Sequence, residues 1–249
     1  MSHANHVDST GRKIPSVSQI PAIFHKDMSG FNAWICKGLH TKDDKCCVKA
    51  ADNYYQESAN LGQDIHAIRE SFLRGDTFAE PLPEYQANVF APVAQFYKES
   101  GYKPLQIGTS EGYNIPAIEL KMTGKEFGGS CDGFGQFSKP FWDGLRKTVY
   151  DKRTREAIES KSIRPPTTED IFCDDLKIKS KLDVLHPLQL YGYSILLQQC
   201  YNLICNWGII IRREKRLDKT PEIQLRIYYL PLFKEEWRSS MLMWHFLND

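Results

Sequence analysis

Hydrophobic positions recur at helical spacing through the first part of the chain. Leu61, Ile65, Ile68 and Phe72, separated by four, three and four residues, put one apolar stripe on a helix predicted over about 50–73. Arg74-Gly75-Asp76 and the Pro-rich EPLPEY close it, and a further helix is predicted over 86–99. Two shorter helices are read at IPSVSQIPAIF (14–24), opened by Pro and Ser, and at FNAWICKGL (31–39). The polar opening, residues 1–12, reads as a disordered lead.

The period then changes. NIPAIELKM (114–122) and EFGGSCDGFGQF (126–137) read as two strands of a hairpin, with glycines where the backbone is approached closely. A polar, basic excursion covers 138–155, and REAIESK (155–161) returns as a third strand. A loop rich in Pro and acidic residues runs from there to about 185. HPLQLYGYSILLQQCYNLI (186–204) is a strong helix with Pro near its first turn. WGIIIR (207–212) and EIQLRIYY (222–229) read as strands, and LFKEEWRSSMLMWHFL (232–247) as a closing amphipathic helix. This order predicts a mixed α/β sheet with helices on its faces, preceded by a helical layer. One domain over 13–249 divides into that layer, 13–100, and an α/β core, 101–249.

Composition narrows the partners. With 249 residues the chain can bury a substantial interior. Its 32 basic and 31 acidic residues leave a net charge of +1, so a polyanion would have to be met by a local surface. Residues 139–164 carry eight Lys or Arg against four acids, and RREKRLDK occupies 212–219, although such runs are more often solvated loops than binding surfaces. The seven cysteines (36, 46, 47, 131, 173, 200, 205) include no Cys-x-x-Cys, which argues against a disulfide framework or zinc ribbon. A reducing, intracellular compartment is expected. No apolar run reaches membrane-spanning length, so no membrane partner is expected. The Arg-poor opening fits neither a secretory signal nor a transit peptide, so a cytoplasmic place is expected, or a mitochondrial one after removal of a transit peptide.

Acid-x-Lys triplets are the candidates for chemistry. They occur at Asp43-Asp44-Lys45, Glu119-Leu120-Lys121, Glu159-Ser160-Lys161 and Asp175-Leu176-Lys177, and most such triplets are solvated surface. Alternation along a strand puts Glu159 and Lys161 on one face of the predicted strand 155–161. Asp132, on the second hairpin strand, meets that pair if the two strands are neighbours. Two carboxylates and a lysine at a strand end suit Mg²⁺. Such an ion lowers the pKa of a bound water and offsets charge on a phosphoryl oxygen, while the lysine orients the nucleophile. Choosing Glu119 would leave the earlier acid to Asp76 or Glu80 on a loop, and that triplet is set aside. Asp175-Leu176-Lys177 is set aside as part of a charged loop without an apolar flank.

Four motifs now stand in order: Gly62-x-x-x-His66, the Asp132 of GGSCDGFG, the acid-x-Lys of IESKS, and Gln189-x-x-x-Tyr193. In this order the chain resembles the RecB-like nucleases of the PD-(D/E)XK superfamily over roughly 13–249. It resembles in particular the mitochondrial genome maintenance exonuclease group and its phage and bacterial relatives. Pro15-Ser16-Val17, ahead of the first helices, adds to the likeness. The resemblance implies a restriction-endonuclease-like mixed central sheet flanked by helices. It implies Asp132 and Glu159 as principal metal carboxylates, His66 as a further metal ligand, Lys161 as the catalytic lysine, and Gly62 as the residue that lets the helix approach the site. It implies Ser162, which stands where relatives often have Thr, as a nucleic-acid-binding residue with Gln189 and Tyr193, the latter two on one helix face, where they would hold the scissile phosphate or its strand. The excursion between Asp132 and Glu159 is longer than the pattern suggests.

The expected cofactor is Mg²⁺ or Mn²⁺. An iron–sulfur cluster is not expected, because the three C-terminal cysteines that some relatives use are missing. The expected activity is metal-dependent hydrolysis of DNA phosphodiesters, as an exonuclease on single-stranded ends in replication, repair or recombination. A structure-specific endonuclease and a catalytically silent nucleic-acid-binding module of the same fold are the alternatives. Phe24, Phe31, Trp34, Tyr54 and Tyr55, in the helical layer, are available to stack on bases of a threaded strand.

Overall fold

The computed structural model describes residues 6–7, 13–22, 44–78, 80–144, 149–178, 185–213 and 223–248. The predicted helix 31–39, with Phe24, Phe31 and Trp34, lies outside them, as do the side chains of Tyr54 and Tyr55. Two short strands, β1 (His6–Val7) and β2 (Lys13–Ile14), pair antiparallel, so His6 and Val7 of the expected lead are in strand. One helical turn, α1 (Gln19–Ala22), is all of the predicted helix 14–24 that forms among the described residues.

The helical layer consists of α2 (Asp44–Arg74) and α3 (Glu84–Ser100). The predicted stripe on α2 faces inward: Ile65 and Ile68 are buried, and Leu61 and Phe72 pack beside them. Burying each such side chain contributes about 1.5–3 kcal/mol, so the stripe fixes which way the rest of α2 faces. α3 ends at Gly101, whose left-handed backbone (φ 62°) caps it through the carbonyls of Lys98 and Tyr97.

Eight strands follow. They are β3 (Tyr102–Pro104), β4 (Gln106–Gly108), β5 (Asn114–Pro116), β6 (Ile118–Thr123), β7 (Gly128–Phe137), β8 (Phe172–Ile178), β9 (Trp207–Arg213) and β10 (Ile223–Tyr229). Their helices are α4 (Lys152–Glu159), α5 (His186–Tyr201) and α6 (Lys234–Asn248). The main sheet runs β10-β9-β8-β7-β3, with β6 also paired to β7, while β4 and β5 form a separate hairpin. All pairs in the main sheet are antiparallel except β8–β9, for which α5 supplies the crossover. The fold is a mixed α/β sheet with a hydrophobic core on each face. Ile209 and Ile211 face α2 and α3, and Ile210 faces the α5 and α6 side, which is why β9 reads as a continuous apolar run.

Two assignments made from the sequence are corrected. Residues 155–161 are not a strand: α4 covers Lys152–Glu159, capped by Asp151, whose carboxylate accepts from the backbone N–H groups of Arg153 and Thr154. Thr154 and Ala157 are its buried residues, three apart as a helix face requires. The acidic loop after it contains the central strand β8, which was missed because three of its seven residues are charged.

The strands β7 and β8 part at one point. Their backbone ladder ends at Gly133 opposite Asp174, and Leu176 then donates its N–H to the Asp132 Oδ2 carboxylate oxygen at 2.9 Å. The chain's Pro15-Ser16-Val17 stretch docks at the first residue of β7, exchanging backbone hydrogen bonds with Gly128. No helix among the described residues is long and apolar enough to cross a membrane.

Candidate metal and catalytic site

The fork between β7 and β8 collects the polar side chains. His66 projects from α2 beside the buried stripe, with Nδ1 3.2 Å from Asp132 Oδ2 and 3.4 Å from Glu119 Oε1. Glu119 stands across the β6–β7 ladder from Asp132, between the pairs Ile118–Gly133 and Leu120–Cys131. Its backbone is left-handed (φ 50°), a conformation that costs a non-glycine residue about 1–2 kcal/mol. His66, Glu119 and Asp132 offer ligand atoms that all lie within 4.8 Å of one another. None of the three is fully buried, so the cluster opens to solvent. Burial opposes a charge on His66, but the Asp132 and Glu119 carboxylates outweigh it and raise its pKa.

β8 forms the floor. Phe172, Asp174 and Leu176 share the face toward α2 and α3, so Asp175 and Lys177 share the other. The Lys177 ammonium lies 2.7 Å from Asp175 Oδ1. The two form an ion pair without hydrogen-bond alignment, since neither buried oxygen of Asp175 has a hydrogen-bond donor among the described residues. Burial, and then the nearby Asp132 charge, raise the Asp175 carboxyl, with Lys177 pulling the other way. Burial would depress Lys177, but Asp175 and Asp132 overcome it, and its pKa rises. Lys177 is therefore held as a cation.

The remaining wall is α5. Gln189 Nε2 donates to the Tyr193 hydroxyl at 3.1 Å, and Tyr193 is buried against the first residues of β7. Burial pushes its hydroxyl well up, and Cys131, Asp175 and Asp132 add to the rise.

The predicted site residues thus divide. The fork brings together Asp132 and His66 directly, with Gln189 and Tyr193 on the flanking helix. Glu159, Lys161 and Ser162 are elsewhere. Glu159 closes α4, which packs on the edge strand β10 through Thr154 Oγ1 and the Tyr229 N–H. β8 and β9 separate that edge from β7. Lys161 has a left-handed backbone (φ 58°) and donates its N–H to Ile158 O, so it terminates the helix. Ser162 Oγ donates to Ala157 O in the same turn. The structure therefore puts these three at a helix end and does not bring them to Asp132; residues 155–161, read as a strand, are the last turns of a helix and the turn that closes it. At Gly62 no described atom lies within 4 Å of where a Cβ would be, so packing among the described residues does not demand a glycine.

Glu119, Asp175 and Lys177 were named in the sequence and set aside. The available signal was the flank itself: Phe172-Cys173 precede Asp174 and Ile178 follows Lys177. The two carboxylates of Glu119 and Asp132 and the imidazole of His66 fit a hard divalent cation such as Mg²⁺ or Mn²⁺, and the buried Asp175 carboxylate lies near Asp132. Comparison of the chain with models of protein families and with curated proteins gave no match to either.

Proposed function

We propose that the chain is a divalent-metal-dependent nuclease of PD-(D/E)XK architecture, a DNA exonuclease acting on single-stranded ends. Asp132, Asp175 and Lys177 are its catalytic set, His66 and Glu119 add ligand atoms for Mg²⁺ or Mn²⁺, and Gln189 borders the path of the strand. The observation that carries this reading is the Asp175–Lys177 pair on one face of β8, beside the Asp132 carboxylate. The motifs quoted from the sequence keep their order with Asp175-Leu176-Lys177 in place of Glu159-Ser160-Lys161.

A divalent ion bound to these carboxylates would supply Lewis acidity toward a phosphoryl oxygen and a water of lowered pKa. The chain's own groups do the rest. Lys177, kept protonated by Asp175 and Asp132, donates hydrogen bonds that orient the attacking water and stabilise negative charge on the phosphoryl oxygens. Asp132 is held in place by the Leu176 N–H and would offer its carboxylate to the ion. The water gives up a proton to solvent as its oxygen bonds to phosphorus and the ester bond breaks, and the leaving oxygen takes a proton from solvent. A silent binding module has no chemical need for His66, Glu119 and Asp132 to converge beside a buried Asp175–Lys177 pair, which favours the enzyme over that alternative.

The test is incubation of end-labelled linear and circular single-stranded DNA with Mg²⁺, Mn²⁺ or EDTA. Linear DNA is expected to be degraded only with metal, and the circle to resist. Rapid cutting of the circle would replace the exonuclease by an endonuclease, and degradation in EDTA would remove the mechanism.

A further inference from the structure

One fully buried polar cluster among the described residues contains none of the proposed ligands. Arg69 and Asp174 form an ion pair in which both side chains are fully buried. Arg69 Nε donates to the Tyr97 hydroxyl at 2.8 Å, Nη1 to the Asp132 carbonyl at 2.6 Å, and Nη2 to Asp174. Tyr97 donates to Asp174 Oδ2 at 3.0 Å, and Tyr102 donates to Asp174 Oδ1. The Arg69–Asp174 pair therefore joins α2, α3, β3, β7 and β8.

Its place relative to the site is specific. Arg69 lies one helical turn beyond His66, bonds the backbone of Asp132, and pairs with the residue next to Asp175. A buried ion pair is an uneconomical way to gain stability, since apolar residues of similar volume often serve as well or better. The chain nonetheless shapes itself around this one. A Cβ on Gly133 would come within 2.6 Å of Arg69 Nη2 and 2.9 Å of the Tyr102 hydroxyl, so a larger residue after Asp132 would displace this network.

We infer that Arg69 and Asp174 are positioning residues, which set the distance from His66 on α2 to the carboxylates of Asp132 and Asp175 and so tune the divalent-ion site. This rests on the metal-site reading proposed above. Partners that orient metal ligands typically contribute about 10–100-fold in affinity.

The test uses the full chain and Mn²⁺, with affinity measured by calorimetry and the ligand set by the ion's EPR spectrum. Arg69→Met with Asp174→Asn removes both charges while Asn keeps polar partners for the two tyrosines. The double variant is expected to fold and to bind Mn²⁺ at least about tenfold more weakly, with an altered spectrum. Arg69→Lys keeps a cation opposite Asp174 but cannot make the three bonds together, and the same loss is expected if the double variant does not fold. Wild-type Mn²⁺ affinity and spectrum in either folded variant would overturn the inference and leave the metal site standing. A wild-type protein that takes up no Mn²⁺ would overturn both.

Discussion

Leu176 gives its backbone N–H to the carboxylate of Asp132 at 2.9 Å, so a side chain takes the place of the next ladder carbonyl between β7 and β8. Asp132 therefore has two duties, one to the sheet and one to the ion. Asp132→Ala orphans the N–H and is expected to cost about 1–3 kcal/mol, a fall in Tm of roughly 2–4 °C per kcal/mol for a chain of this size. Asp132→Asn keeps an amide oxygen for Leu176 and is expected to melt near wild type while losing Mn²⁺ affinity. Thermal unfolding beside calorimetry separates the two duties. An Ala variant that melts like wild type would contradict the first.

A second consequence concerns the buried pair on β8. Lys177→Met should abolish DNA cleavage, and it leaves the Asp175 carboxylate without its cation. Breaking a buried pair costs about 3–5 kcal/mol, and the partial exposure of Lys177 puts the loss near the low end. Adding Asp175→Asn removes the stranded charge and is expected to restore most of the stability but none of the activity. The pH dependence has a definite sign. The folded pKa of Asp175 already lies above its ordinary value. A raised carboxyl favours the folded state at low pH and loses that advantage as pH rises through its folded pKa. The Lys177→Met defect, measured in EDTA, should therefore shrink on acidification and grow toward neutral pH. A defect independent of pH would exclude Asp175 as its cause.

What was legible in the sequence was whatever sits in a uniform environment. The α2 stripe, the β6–β7 hairpin, α5, β9, β10 and α6 each bury one face or two, and their periods reported them. β8 was illegible because its polar residues are buried for a reason no period carries. Asp174 is there for Arg69, and Asp175 for Lys177 and the site, so a central strand reads as an acidic loop. Asp132 was legible because glycines surround it. Glu119 was not, since it enters the cluster without Lys121, the partner that the triplet template assigns to it.

The displaced triplet makes its own prediction. Glu159→Ala and Lys161→Gly should both leave metal affinity and DNA cleavage at wild-type level. Lys161 holds a left-handed backbone at the end of α4, where glycine relieves about 1 kcal/mol of strain. Lys161→Gly is thus expected to raise Tm by roughly 2–4 °C. Loss of cleavage in the folded variant would return the catalytic lysine to this turn.

Gly62 tests whether the strand passes along α2. It lies one turn before His66, inside a helix, where glycine costs about 1 kcal/mol relative to alanine. No described atom lies within 4 Å of its missing Cβ, so protein packing offers no return for that cost. A substrate backbone lying against the helix beside His66 would. Gly62→Ala is then expected to raise Tm by roughly 2–4 °C, leave Mn²⁺ affinity unchanged, and weaken single-stranded DNA binding and cleavage. Gly62→Leu should weaken both further. Undiminished cleavage by the leucine variant would move the strand away from α2, and a lowered Tm for the alanine variant would show that the glycine serves packing instead.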